Sequence, residues 1–148
     1  MSAYNKASKL KPKKKGGTDM NGAEKEKKLI FVAHPVGNDL EGNKKKVIEI
    51  CDVLFRQGVI PVAPYLVALQ ILNDKIPGER KLGIEANHAC IARRFVDEVW
   101  LFGDRISDGM KGEILLAHEV GIPVIPMTEA TAKEYVYFVQ ALGSTPRE

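Results

Sequence analysis

The sequence predicts an α/β fold, a single domain built on a parallel sheet with helices on both faces. Three observations carry the prediction. Short apolar runs alternate with longer segments of helical periodicity from residue 29 onward. The first run, Leu29-Ile30-Phe31-Val32-Ala33, is continuously apolar, as a strand buried on both faces requires. Gly and Pro punctuate most junctions between these segments. The chain has 148 residues, 45% of them hydrophobic, enough for one domain with its own core and no suggestion of a second.

The first strand opens into the loop His34-Pro35-Val36-Gly37-Asn38-Asp39. A helix follows from about Glu41 to Gln57, with Val47, Ile50, Cys51 and Leu54 at i, i+3, i+4, i+7 and Gly58 as its stop. Val59–Ala63 reads as a second strand, and Pro61 inside it favours a place near the sheet edge. The loop Pro64-Tyr65 comes next, then a short helix over Leu66–Leu72 closed by Asn73-Asp74 and Pro77-Gly78. A better-marked helix runs from about Arg80 to Phe95, with Ile84, His88, Ile91 and Phe95 on one face. Val99–Phe102 is the third strand, Gly103–Gly109 its loop, and a helix carrying Glu113 runs from there toward Val120. Pro123–Met127 is the fourth strand. Thr131-Ala132-Lys133-Glu134 has the form of a capping box for a last helix ending near Gly143. Right-handed crossovers bring three loops to one edge of the sheet: His34–Asp39, Pro64–Leu66 and Gly103–Glu113.

Charge divides the chain. Residues 1–28 hold nine lysines and three acids, a net of +6, whereas the remainder holds thirteen basic and sixteen acidic residues, a net of −3. Residues 1–28 are expected to be a disordered basic tail and residues 29–148 the folded domain. The tail is either simply solvated or weakly attracted to polyanions. The acidic body argues against a dedicated nucleic-acid surface. No apolar run approaches the roughly 20 residues of a membrane span, and the basic N-terminus lacks the apolar middle of a signal peptide. Cys51 and Cys90 have no metal-type spacing and read as buried thiols, consistent with a cytoplasmic location.

The stretch Ser107-Asp108-Gly109-Met110-Lys111-Gly112-Glu113 carries the most chemistry. Ligands of open α/β sheets bind outside the carboxyl ends of the strands, which is where this loop and the first turn of its helix are expected. Glu113 either works on a ligand there or offsets the positive end of the helix dipole. Ser107 can donate or accept a hydrogen bond, Gly109 and Gly112 permit close backbone approach, and amides at the helix start favour an anion. A carboxylate in such a loop suits attack on an anomeric carbon. Asp104, just after the third strand, is placed to supply a second carboxylate. His34 is either a solvent-facing loop residue or a ligand contact, and His88 either a hydrogen-bonded core histidine or a pocket residue. His118 reads as surface, and Asp97 and Glu98 lie at the wrong end of their strand for a site. The chain has neither Gly-x-Gly-x-x-Gly nor a P-loop Lys-Ser/Thr pair, so a dinucleotide fingerprint and a Walker motif are both absent.

Four features together resemble the nucleoside 2-deoxyribosyltransferase-like superfamily, in particular its small, mostly uncharacterised bacterial and phage branch. They are Leu29–Ala33 with its His34-Pro35 loop, Val96-Asp97-Glu98-Val99-Trp100-Leu101-Phe102, Ser107-x-Gly109-x-x-x-Glu113, and Gly121-Ile122-Pro123-Val124, spanning about residues 29–127. The resemblance implies a flavodoxin-like or Rossmann-like sheet and a nucleotide-binding N-glycosidase, hydrolase or transferase. Glu113 would be the nucleophile and Ser107 a phosphate contact. Transferases of this kind carry an acidic residue on the helix before the third strand, where this chain has Asn87 or His88. The first loop also lacks the Gly-rich opening of many catalytic members.

The expected function is therefore binding of a nucleoside or nucleoside 5′-monophosphate with cleavage or exchange of its N-glycosidic bond. Glu113, Asp104 and His88 are the candidate catalytic residues. His34, Pro35, Gly37, Tyr65, Ser107, Gly109 and Met110 are the candidate substrate contacts. No cofactor and no metal are expected. The expected partners are the small-molecule ligand and further copies of the chain, with no membrane. The alternatives are a non-catalytic module for a nucleotide-derived ligand, or an interaction protein recruited through its basic tail.

Overall fold

The computed structural model describes residues 25–143. Strand β1 spans Leu29–Ala33, helix α1 Leu40–Arg56, strand β2 Ile60–Val62, helix α2 Pro64–Ile71 and helix α3 Pro77–Ala92. Strand β3 spans Glu98–Leu101, helix α4 Asp108–Val120, strand β4 Val124–Pro126 and helix α5 Glu129–Gly143. The four strands form one sheet in the order β2-β1-β3-β4, with every pairing parallel. This is the α/β, Rossmann-like architecture that the alternation of elements predicts. Pro61 lies opposite Ile30 in edge strand β2, where one side of the strand needs no ladder bond.

β1 is the centre of the core: Ile30, Phe31, Val32 and Ala33 are all fully buried. They pack with Val99 and Leu101 of β3, Val47, Ile50 and Leu54 of α1, and Ile114 and Ala117 of α4. α1 buries the i, i+3, i+7 series that its sequence displays. Right-handed crossovers place α1 on one sheet face and α2, α3 and α4 on the other. Among the described residues no helix is long and apolar enough to cross a membrane.

Several local expectations shift. α2 starts at Pro64, not Leu66, because proline suits the first helical position, where no amide donor is needed. α3 runs Pro77–Ala92, three residues earlier than its periodicity suggests. Arg94 takes a left-handed conformation with φ of 53°, which ends the helix and turns Phe95 out to 56% exposure. Only Ile91 of the expected apolar face is fully buried, while Ile84 and His88 look into a cavity.

The capping box of α5 is formed by Thr128 and Thr131, not Thr131 and Glu134. Thr131 N donates to Thr128 Oγ1 at 3.0 Å and Thr128 N to Thr131 Oγ1 at 3.2 Å. Both free cysteines are half-buried rather than buried. The expected tail falls largely outside the described residues. Lys28, assigned to that tail, belongs to the fold: its carbonyl accepts from Ile60 N at 2.9 Å and its Nζ pairs with Glu98 at 2.6 Å.

Candidate functional site

The strand order creates the site. From β1 the chain crosses to β2 on one side, whereas β3 lies on β1's other side. The loops after β1 and β3 therefore diverge to opposite faces and leave a crevice between them. A cavity of about 520 Å³ occupies it, within the range of small-molecule sites. Its lining includes His34 and Gly37 from the β1 loop, Tyr65 from α2, and Ser107, Gly109 and Met110 from the β3 loop and the start of α4. His88 from α3 and Glu113 from α4 complete the sequence-selected residues that it gathers.

The β3 loop is held from behind by the start of α5. Thr128 Oγ1 donates to Gly103 O at 2.9 Å and Thr131 Oγ1 to Leu101 O at 3.1 Å. Glu134, released from the expected capping role, accepts from Ile106 N. Gly103 itself has φ of +95°, and a Cβ there would lie 2.5 Å from Pro35 Cδ. The two loops thus meet backbone to ring, a contact that only glycine allows. Pro35 is buried in that junction and does not line the cavity.

Ser107 caps α4, accepting from Met110 N at 3.3 Å through its side chain. That register corrects the position of Glu113, which falls in the second turn of the helix and not the first. Dipole compensation fades within the first turn, where Asp108 stands instead. Glu113 is only 6% exposed, lines the cavity, and has no hydrogen-bond partner among the described residues. Burial pushes its carboxyl from an ordinary 4.5 up to about 8. At neutral pH the buried carboxyl therefore keeps its proton and has no charge with which to balance a dipole.

Tyr65 is buried beside it. The phenol donates to Val32 O at 2.5 Å, and burial, then the nearby charge of Glu113, raises its pKa well above 10. His34 is buried, not solvent-facing. Its Nδ1 lies 2.6 Å from Pro35 O, which can only accept, so Nδ1 carries the hydrogen and Nε2 is left as an acceptor. Burial first lowers the His34 pKa, keeping the ring neutral. His88 packs against α4, with its Nε2 3.5 Å from where a Cβ on Gly112 would sit. Small residues at Gly109 and Gly112 thus keep one side of α4 open to the cavity. Asn87 beside it has a fully buried side-chain oxygen, Oδ1, that also lacks a partner among the described residues.

Asp104 is not in the cavity. Its carboxylate is exposed and pairs with Arg105 Nη1 at 3.0 Å, so the expected second carboxylate is absent from the lining. The cavity takes Arg105 instead, whose Nη2 donates to Gly37 O at 3.3 Å. The lining is mixed in character. Polar groups such as Arg105 and Ser107 belong to it, and so do the apolar side chains of Ala68, Leu69, Leu72 and Ile84. Asp74, Glu79 and Arg80 stand among the lining residues contributed by α3 and the segment before it. Sequence reading missed Arg105 and the apolar lining residues Ala68, Leu69 and Leu72. Arg105 was findable as the cation in the same loop as Ser107. His118, as expected, is on the surface, its Nε2 2.7 Å from Tyr135 Oη. Asp97 accepts from Leu29 N at 2.8 Å and Glu98 pairs with Lys28, at the other end of the strands. Among the described residues no cluster of His, Cys, Asp and Glu is suited to hold a metal ion.

Residues 28–127 match a family described as Domain of unknown function (DUF7768), and the chain belongs to it. That span runs from the first residue tied into the sheet to the end of the last strand, and so includes every loop that builds the cavity. No curated protein and no solved structure matches the chain.

Proposed function

We propose that this protein binds a nucleoside or nucleoside 5′-monophosphate in the crevice and cleaves or exchanges its N-glycosidic bond through Glu113. The observation that carries the reading is a buried carboxyl with no hydrogen-bond partner among the described residues, lining a ligand-sized cavity that offers both polar and apolar side chains. The apolar lining side chains Ala68, Leu69, Leu72 and Ile84 suit a nucleobase face. Ser107, Arg105 and the amides of Asp108 and Gly109 suit a phosphate or sugar hydroxyl. The nucleoside 2-deoxyribosyltransferase-like motif Ser107-x-Gly109-x-x-x-Glu113 supports the same assignment.

In this scheme ionised Glu113 attacks the anomeric carbon, and the bond from that carbon to the base nitrogen breaks with its electron pair leaving on the base. His88 supplies the proton the departing base needs. Neutral His34 accepts a hydrogen bond through Nε2 and orients the sugar. Water, or an incoming base, then attacks the glycosyl carbon and gives up a proton to His88, and the bond to Glu113 breaks with its electron pair returning to the carboxylate. Asp104 has no part in it. A donor group on the ligand would satisfy Asn87 once its amide turns about χ2.

Glu113, whose carboxyl burial pushes up to about 8, must lose its proton before it attacks, so the acid limb of the proposed activity rises with pH. The same fact favours the second reading, a non-catalytic module: a protonated carboxyl can donate a hydrogen bond to a nucleotide-derived ligand without attacking it. Self-association accompanies either reading. The third reading, recruitment through the basic tail, rests on residues outside those described. The test is incubation with a panel of nucleosides and 5′-monophosphates, read by chromatography of released base and by melting temperature. Release of base supports cleavage, and a raised melting temperature without release supports the binding module. No release and no shift with any compound overturns both.

A further inference from the structure

We propose that Asn87 makes the site selective for a ribonucleoside over its 2′-deoxy counterpart, by accepting a hydrogen bond from the 2′-hydroxyl through Oδ1. This choice of sugar rests on the nucleoside reading of the cavity, which leaves the sugar open. Asn87 Oδ1 is fully buried and has no partner among the described residues. Such an oxygen has given up water without a replacement, and native folds retain few of them. Its side chain stands in the cavity lining. Arg80, Gly83, Ile84, Asn87 and His88 line the cavity from α3, spaced i, i+3, i+4, i+7 and i+8 along one helix face.

The neighbouring helix fixes the level of Asn87 in the cavity. α3 leads into β3 and α4 into β4, both parallel strands, so the two helices run in the same direction. Their register is set where His88 Nε2 lies 3.5 Å from the place a Cβ on Gly112 would take. Asn87 and Glu113 are each one residue from that contact. At 1.5 Å of rise per residue they differ in height by about 3 Å. Two buried polar groups without partners among the described residues, the Asn87 amide and the Glu113 carboxyl, thus line one cavity at nearly one level. Tyr65 shares the lining but has committed its phenol hydrogen to Val32 O at 2.5 Å.

A nucleoside whose anomeric carbon meets Glu113 brings few groups to that level. The base atoms nearest the glycosidic bond are acceptors or carbon-bound hydrogens: N3 and C8–H of a purine, O2 and C6–H of a pyrimidine. None of them can donate to Asn87 Oδ1. The nearest donor is the hydroxyl on the adjoining sugar carbon, C2′. An asparagine amide turns about χ2 in a broad well, so the oxygen can come round to that hydroxyl. A 2′-deoxy sugar leaves it unpaired. A site built around a hydroxyl rejects the analogue lacking it for that reason.

The test holds the base constant and changes only the sugar. Adenosine, cytidine and their 5′-monophosphates are compared with the 2′-deoxy forms. Dissociation constants are measured by calorimetry at pH 6, where Glu113 keeps its proton and turnover is suppressed. The wild type is expected to bind the ribo member of a pair about 10–100-fold more tightly. Asn87→Leu is expected to abolish the difference by weakening the ribo member alone. Asn87→Asp, which retains an acceptor oxygen, is expected to keep the preference. A purely structural Asn87 would shift both members of a pair together, and that result overturns the inference. So does a preference that survives in Asn87→Leu. Should Asn87→Leu fail to fold, Asn87→Ala takes its place. Equal binding of both members by the wild type overturns the inference alone, whereas binding of no member of any pair overturns it together with the nucleoside reading.

Discussion

Replacing Glu113 by Gln should make the protein more stable at neutral pH. Glu113 titrates near 8 when folded and near 4.5 when ordinarily solvated. A raised folded pKa means that the folded state binds the proton more tightly. That contribution is complete below pH 4.5 and is lost as pH rises to about 8. At pH 7 the unfolded chain has gained 2.5 pH units of ionisation that the folded chain has not, or about 3 kcal/mol at 1.36 kcal/mol per unit. Gln keeps the shape of the protonated acid and gives the unfolded state no such gain. The variant should therefore exceed the wild type by up to about 3 kcal/mol at pH 7, or roughly 6–12 °C in melting temperature for a chain of this size. Near pH 4 the two should converge. Urea unfolding of both proteins from pH 4 to 9 measures it. Parallel stability curves, or a Gln variant that is weaker at pH 7, would refute the claim that Glu113 is buried uncharged.

Gly103→Ala forces a Cβ against Pro35 at a left-handed backbone position, and should lose about 2–4 kcal/mol by urea unfolding. Thr131→Val keeps the volume but strips the bonds that pin β3 to α5, leaving Thr128 N without its acceptor; a loss of about 1–3 kcal/mol is expected. Hydrogen exchange should quicken in the Gly103–Ser107 loop of that variant while β1 stays protected. The acid limb of any base-releasing activity should rise with pH, as expected of a carboxyl that must ionise before it attacks, and its pH–rate profile checks this.

Most of the fold was legible because strand-length apolar runs and helical periodicity alternate without ambiguity. Pro61 even placed β2 at an edge. Boundaries slipped where tertiary or backbone effects override the pattern. Phe95 fits the apolar spacing of α3, yet a left-handed Arg94 turns it away. Thr131 and Glu134 fit a capping box, yet Thr128 caps first and leaves Glu134 to hold the β3 loop. The candidate site was legible wherever strand ends fix a residue, as for His34, Ser107 and Glu113. It was not legible for Asp104, because the residue after a strand can point out as readily as in, and the adjacent Arg105 draws its carboxylate to the surface. The apolar lining was hidden for a different reason. Ala68, Leu69 and Leu72 are ordinary core residue types, and only the packing of α2 on α3 turns them toward a cavity.

The measurement that tests the central claim most directly is base release by the wild type and by Glu113→Gln, assayed side by side on whichever nucleoside or 5′-monophosphate the panel identifies. The account predicts that the variant binds the ligand within about tenfold of the wild type, about 1.4 kcal/mol, while base release falls by several orders of magnitude. Undiminished release by the Gln variant would contradict it, and would remove Glu113 as the nucleophile.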